Sequence, residues 1–357
     1  MRFLFGVCSW GLGHATRTLP IIRKTIEEGN EVIVVSSGRA LNMLKQELGS
    51  GPIFALLDDY QPPPTLNPSL LVLEALLNFP VYVTDMFREH DFVRRLIARS
   101  KVDVIFSDNR FGFYSRDVPS YFMSHQLRIL NPLRSRVLED GTEIYNKYFL
   151  NRCAGVLVPD FAEDGLAGRL AHDLSIIDEK HLSYIGVLSE FSYRPMAQDV
   201  DVFVSISGPE PQRSAFEGLV RRELKGYEGR VIISLGKPED KGDRSTDFLG
   251  YVGRTEREEL LNRSKIVVAR SGYSTLMDLC VLRKKGFLVP TPGQLEQEYL
   301  AGYHMKNRSF YCVEEKDLDL QRQLEEAMSY RVPELKYSTE RAVERAFDVI
   351  TETARPA

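Results

Sequence analysis

Apolar residues in this chain gather into short β-rich runs, separated by longer stretches with helical spacing. In the first half the runs fall at 3–7, 32–35, 53–57, 102–106, 120–123, 155–158 and 184–187. They are almost free of polar residues, which predicts parallel strands covered on both faces. The alternation then begins again. Runs at 202–206, 231–233, 266–269, 287–289 and 310–313 are interleaved with helical stretches over 212–224, 255–263, 274–283 and 295–306. An alternation that runs twice predicts two doubly wound α/β domains in series. The polar stretch 188–200 contains Pro195, has no clear period and reads as the boundary. The expected division is 1–190, 191–337 and a terminal helix within 338–357. That last stretch is amphipathic, with Ala342, Val343, Ala346, Phe347 and Ile350 on one side.

Two segments depart from the alternation. "DDYQPPPTLNPS" at 58–69 is proline-rich and too long for an ordinary connection. "GKPEDKGDRSTD" at 236–247 is charged and contains glycine. Composition adds little beyond this. At 357 residues, two domains are the prior. A net charge of −4 gives no nucleic-acid or general membrane signature. The cysteines Cys8, Cys153, Cys280 and Cys312 are widely spaced, and reduced thiols in a cytosolic protein are expected. The first 20 residues lack the pattern of a signal peptide, and no stretch reaches the ~18 uncharged apolar residues of a membrane span. His90 shares a basic helical face with Arg88, Arg95 and Arg99, which reads as solvated rather than lipid-bound.

Three turns carry candidate chemistry. The first is "CSWGLGH", where the first strand gives way to a helix. Gly11 and Gly13 permit a sharp turn and close approach of a ligand. The helix that follows offers free N–H groups to an anion. His14 stands where open α/β sheets bind ligands, as a catalytic group or as a structural cap. The spacing is GxGH rather than GxGxxG, and no acidic residue ends the second strand, which weighs against a dinucleotide site.

The second turn, "SISGPEPQR", places Ser207 and Gly208 after a strong strand, where amides and a hydroxyl suit phosphate. An ordinary strand–turn–helix connection fits that stretch equally well. The third is "VVARSGYSTLMDLC", followed by "VPTPGQLEQE". Arg270, Ser271 and Gly272 end a strand, and Ser274 and Thr275 begin a helix. Asp278 lies one turn in, a carboxylate suited to a ribose diol. Gln294, Glu296, Gln297 and Glu298 are polar groups able to read sugar hydroxyls. No spaced carboxylate pair follows a strand to hold Mg²⁺, and adjacent Asp58 and Asp59 read as a solvated turn.

These motifs resemble the family of the peptidoglycan-precursor N-acetylglucosaminyltransferase, glycosyltransferase family 28, whose fold is GT-B. The likeness spans the chain, strongest at 266–302 and weakest at 58–100. It implies two Rossmann-like domains facing a cleft, with the C-terminal helix packing back across them. "GLGH" matches the family's acceptor-side turn, implying acceptor-side roles for Gly11, Gly13 and His14. "SHQLRILN" at 124–131 matches a second acceptor-side loop, keeping His125 and Gln126 without the intervening Glu. Tyr251 and Val252 would flank the nucleobase. Asp278 would bind ribose, one methylene shorter than the family's Glu. Gln297 and Glu298 would hold the donor sugar, where the family has a Gln pair.

What the resemblance implies is a metal-independent transfer of a hexose or N-acetylhexosamine from a nucleotide diphosphate sugar, most simply a UDP-sugar. The recipient would be a hydroxyl on a sugar, glycolipid or other small molecule. No cofactor is expected, since the nucleotide sugar is a substrate. His14 is the expected base, with His125 as its competitor. A cytoplasmic protein with at most peripheral contact at the inner membrane face is expected. Three other readings are a nucleotide-sugar hydrolase, a non-catalytic nucleotide-sugar binder and a two-domain epimerase.

Overall fold

The computed structural model describes residues 1–60, 71–133, 135–237, 242–243, 247–250 and 252–352, with the backbone alone at 71–76 and 242–243. The chain divides into two compact units: Met1–Glu190 with Lys336–Ala357, and Phe191–Leu335.

The first unit contains β1 (Arg2–Val7), α1 (Leu12–Glu27), β2 (Glu31–Ser36), α2 (Gly38–Leu48), β3 (Ile53–Leu56), α3 (Leu71–Arg99), β4 (Val104–Asp108), β5 (Ser120–Met123), α4 (Arg136–Leu150), β6 (Gly155–Val158) and β7 (Leu182–Tyr184). The second contains β8 (Val200–Ser205), α5 (Gln212–Glu223), β9 (Val231–Ser234), β10 (Gly242–Asp243), β11 (Phe248–Leu249), α6 (Arg254–Arg263), β12 (Ser264–Ala269), α7 (Tyr273–Val281), β13 (Lys285–Leu288), α8 (Leu295–Lys306), β14 (Tyr311–Cys312) and α9 (Leu320–Met328). The last helix, α10 (Thr339–Glu352), belongs to the first unit.

Sheet A runs β3-β2-β1-β4-β5-β6-β7, parallel throughout. Its apolar runs lack polar interruption because both faces are covered. Phe3 and Phe5 of β1 point to the side of Leu19 and Ile22 of α1 and of Ala346 and Ile350 of α10. Leu4, between them, points to the opposite side, with Val93 of α3 and Phe113. Each such buried side chain contributes about 1.5–3 kcal/mol. Phe347 of α10 stacks on Phe3 at 6.4 Å, which anchors the returning helix in this unit.

Sheet B runs β10-β11-β9-β8-β12-β13-β14 and is parallel except for β10 with β11. In both sheets the order reverses beside the first strand: β1 lies between β2 and β4, and β8 between β9 and β12. Ligands of open α/β sheets bind outside the carboxyl ends of the strands at such a reversal. The turns after β1 and β4, and after β8 and β12, are therefore where each unit's site belongs.

Candidate active site

The turn after β1 brings Gly11 to φ 134°, a conformation that favours glycine. His14 follows in the first turn of α1. Asp108 ends β4 on the neighbouring strand and is completely buried. Its Oδ1 lies 2.9 Å from Nδ1 of His14. Its Oδ2 accepts from Arg17 Nε at 2.9 Å and from Thr18 Oγ1 at 2.6 Å. Arg17 Nη2 donates to Oδ1 as well, completing a two-pronged pair. Helical spacing explains the grouping: His14, Arg17 and Thr18 stand at i, i+3 and i+4 on one face of α1. Burial works to raise the Asp108 pKa. Arg17 and His14 outweigh it and hold the carboxyl well below the usual carboxylate range.

Arg17 also reaches the second histidine, its Nη1 donating to His125 Nδ1 at 2.7 Å. A guanidinium only donates, so that nitrogen carries a lone pair and the neutral ring's proton is on Nε2. Arg17 Nη2 lies 2.9 Å from His14 Nδ1, beside the carboxylate. One nitrogen cannot both donate to the carboxylate and accept from the guanidinium; with Nδ1–H turned to Asp108, the Nε2 of His14 is the basic nitrogen. The His14 side chain keeps 15% exposure, so its ring is accessible although Asp108 beneath it is not. His125 is buried in a tight loop in which Ser124 Oγ accepts from Gln126 N at 3.1 Å.

Asp59 is not a solvated turn residue. It accepts from Ser9 N at 2.7 Å, from Ser9 Oγ, and from Ser37 Oγ at 3.2 Å. It thereby ties together the segments that follow β1, β2 and β3. Residues 61–69 of the proline-rich segment lie outside the described residues, as do 238–241 and 244–246 of the charged loop.

In the second unit Ser207, Gly208, residues 270–278 and residues 294–298 follow the carboxyl ends of the adjacent strands β8, β12 and β13, whereas Val252 follows β11. Ser207 and Gly208 are exposed after β8, with Gly208 at φ 113°. Gly272 precedes α7, and no side chain caps that helix. Ser274, Thr275 and Asp278 are half-buried, with Ser274 and Asp278 one turn apart on the same face. Val252 is buried, and Tyr251 lies outside the described residues.

Other side chains here brace the loops. Arg270 is buried over the Phe216 ring at 4.0 Å and donates to Val289 O, Pro290 O, Gln212 O and Glu315 Oε1. Ser271 Oγ donates to Gln297 O at 2.9 Å. Gln297 Oε1 accepts from Thr291 N at 2.9 Å, and its Nε2 donates to Gln294. Glu298 Oε1 accepts from Gly293 N at 2.8 Å. Gln297 and Glu298 thus hold the 291–294 turn.

Sequence reasoning singled out His14 and His125 but missed Asp108, Arg17 and Thr18, which join them. A signal existed. Asp108 ends the strand of the run at 102–106, and His14, Arg17 and Thr18 share helical spacing. Among the described residues no group of three or more His, Cys, Asp or Glu side chains is placed to hold a metal ion. No helix among them is long and apolar enough to cross a membrane.

Residues 1–119 match the family described as Glycosyl transferase family 1, and residues 221–352 match the Glycosyltransferase family 28 C-terminal domain. No curated protein sequence matches the chain. Solved structures similar to it include the calicheamicin glycosyltransferase CalG4, at 13% identity over 98% of this chain and 94% of that one, TM-score 0.63. Acinetobacter baumannii MurG is 11% identical over 99% of this chain and 100% of its own, TM-score 0.61. Phytolacca americana UGT2 is 15% identical over 99% and 94%, TM-score 0.60. At these identities the likeness is one of fold, and the two family matches add the class of chemistry. The chain is a glycosyltransferase of the GT-B fold, with a C-terminal domain like that of family 28.

Proposed function

We propose that this glycosyltransferase moves a hexose or N-acetylhexosamine from a nucleotide diphosphate sugar, a UDP-sugar foremost, to an acceptor hydroxyl without a metal ion. The observation that carries the reading is the His14–Asp108 contact of 2.9 Å, at the strand reversal of sheet A. His14 Nε2 takes the acceptor's proton as the acceptor oxygen bonds the anomeric carbon and the bond to the diphosphate breaks. Asp108 orients the ring and stabilises the imidazolium that results. Because Arg17 holds the lone pair of His125 Nδ1, His125 serves to hold Arg17 in place rather than as the base.

In this reading the second unit takes the donor. The uncapped amides at the start of α7 and the exposed Ser207–Gly208 turn receive the diphosphate, which makes a metal dispensable. Asp278 takes the ribose hydroxyls, and no cofactor takes part. The fold is known to hold such ligands: Phytolacca americana UGT2 was solved with UDP-2fluoro-glucose and pterostilbene, and the rhamnosyltransferase SpnG with thymidine diphosphate. The acceptor is a sugar, glycolipid or other small molecule.

The proposal includes a cytoplasmic location with at most peripheral membrane contact. Support for contact comes from α4, whose outward face carries Val137, Ile144 and Tyr148 beside exposed Arg136 and Lys147. Ile144→Glu should then reduce co-sedimentation with anionic vesicles.

Thermal-shift screening of nucleotides and nucleotide sugars tests the donor, and UDP or a UDP-sugar should stabilise the protein. Release of nucleotide diphosphate should be slow with donor alone and faster with acceptor. Rapid, His14-dependent release without acceptor would favour the hydrolase. Activity should persist in excess EDTA, and loss restored by Mg²⁺ or Mn²⁺ would sink the metal-free reading.

A further inference from the structure

A donor diphosphate brings about two negative charges, and the start of one helix offers only about half a positive one. Three cations along the carboxyl edge of sheet B are already neutralised. Arg213 pairs with Glu210, Lys237 lies 2.8 Å from Glu217, and Arg270 lies 2.6 Å from Glu315.

Arg257 is different. It stands in the first turn of α6, where its amide donates to Gly253 O at 2.8 Å. Among the described residues no carboxylate pairs with it. Its side-chain bond goes to a neutral group, Nη2 donating to Ser205 Oγ at 3.0 Å. The guanidinium lies 5.9 Å from the Phe191 ring, another uncharged neighbour. Its Nε is buried without an acceptor. The side chain as a whole is half-buried, so its charge is partly stripped of water yet still within reach of a ligand. A guanidinium only donates, and its fork fits two oxygens at once.

The strand beneath explains where this charge is held. Val204 and Ile206 enter the core with Phe216, so Ser205 between them faces the other way, toward α6. Ser205 ends β8, the strand at the reversal, and pairs with Ala269 of β12. It is two residues before Ser207, and one strand spacing, ~4.8 Å, from the end of the strand that leads to Gly272 and α7.

We infer that Arg257 is the counter-charge for the donor's diphosphate, its free N–H groups meeting phosphate oxygens that the Ser207–Gly208 turn and the start of α7 leave uncovered. That the anion belongs to a nucleotide sugar rests on the donor reading proposed above. That Arg257 holds an anion rests on the residue's own surroundings.

Calorimetry on the full-length protein with uridine, UDP and inorganic diphosphate tests this without acceptor or turnover. Arg257→Gln keeps a donor for Ser205 Oγ and removes the charge. It should weaken UDP and inorganic diphosphate by about tenfold to hundredfold and change uridine by no more than about twofold. Arg257→Lys keeps the charge without the fork, and should leave UDP about three- to tenfold weaker than wild type. Unchanged affinity for UDP and inorganic diphosphate in folded Arg257→Gln overturns the inference, and UDP binding then still upholds the donor reading. An equal loss for uridine and UDP overturns it too, because a residue that merely braces the loops would weaken both. So does the absence of saturable binding of either anion to the wild type. Arg257-dependent binding of inorganic diphosphate with no binding of UDP supports the inference and removes UDP from the donor reading.

Discussion

At the strand reversal of sheet A, a fully buried carboxylate is bonded to three side chains, His14, Arg17 and Thr18. At the reversal of sheet B, the strand ends carry exposed Ser207 and Gly208 and the uncapped start of α7. One topology has been furnished with opposite materials. Proton transfer needs a particular nitrogen in a particular tautomer, and only interlocked side chains set that. The anion binding proposed for the second unit needs several N–H groups pointing one way, and a glycine turn and a helix start can supply them from the backbone. The first kind of site breaks at a single substitution. The second resists substitution and yields only where a side chain adds a specific contact.

The largest effect should come from the proton-transfer side. His14→Ala should lower turnover by about 10²–10⁴, the usual worth of a general base. Nucleotide affinity, which the proposal assigns to the second unit, should stay within about twofold, because sites with no shared partners behave independently. Calorimetry and steady-state rates on the same preparation decide this. Unchanged turnover would remove His14 from the chemistry. A matching loss of nucleotide affinity would undo the separation of the two sites.

Next comes the network beneath His14. Asp108→Asn leaves Arg17 buried without its counter-charge, and breaking such a pair costs about 3–5 kcal/mol. Urea unfolding should show that loss at neutral pH. The pH dependence has a definite sign. The Asp108 carboxyl is held below its unfolded value, so it stabilises the fold above about pH 4 and does so less as pH falls below. The gap between wild type and Asp108→Asn should therefore be full at pH 7 and shrink on acidification. A gap that stays constant would mean that the carboxylate's charge is not what holds Arg17.

The donor side should respond more weakly. Asp278→Ala should reduce affinity for UDP or a UDP-sugar by about 1.5–3 kcal/mol, the worth of hydrogen bonds to a charged group. Asp278 is half-buried and its removal should leave the fold intact. Unchanged affinity in a folded variant would take the ribose away from this residue.

The same contrast explains what was legible in the sequence. Strands covered on both faces appear as uninterrupted apolar runs, so β1, β2, β5, β6 and β12 stand out, and with them the turns they feed. Backbone-built sites are legible because glycine after a strand marks the turn. The side-chain network was less so. Asp108 lies past the run at 102–106 and looks like the start of a loop until β4 is known to pair with β1. Arg17 looks like an exposed helical charge, yet it is buried because its partner comes from 91 residues away. Helix α4 hides itself differently: Glu139, Glu143 and Asn146 face inward while Val137, Ile144 and Tyr148 face out, inverting the pattern that marks a surface helix. The Glu143 carboxylate is buried against Arg128 at 2.6 Å, a distant pairing that no local spacing reveals.

The smallest effect should be at Glu298, and it tests the contrast where side chain and backbone meet. Residue type alone puts Gln297 and Glu298 among the groups able to read a sugar, yet the Gln297 carboxamide oxygen and one Glu298 carboxylate oxygen accept from loop amides. A glutamine at 298 can accept from Gly293 N as the glutamate does, losing only the charge-assisted part of the bond. Glu298→Gln should therefore change stability by about 0.5 kcal/mol or less and leave affinities for UDP-glucose and UDP-N-acetylglucosamine within about twofold. Gln297→Ala should cost more, about 1–3 kcal/mol, because it leaves the amide of buried Thr291 without its acceptor. Competition binding with the two nucleotide sugars separates the possibilities. A change of about tenfold or more in their ratio for Glu298→Gln, against the small shift typical of substitutions away from any special contact, would mean that this carboxylate faces the sugar. The side chain would then count among the specific contacts of the donor site rather than among the groups that hold its backbone.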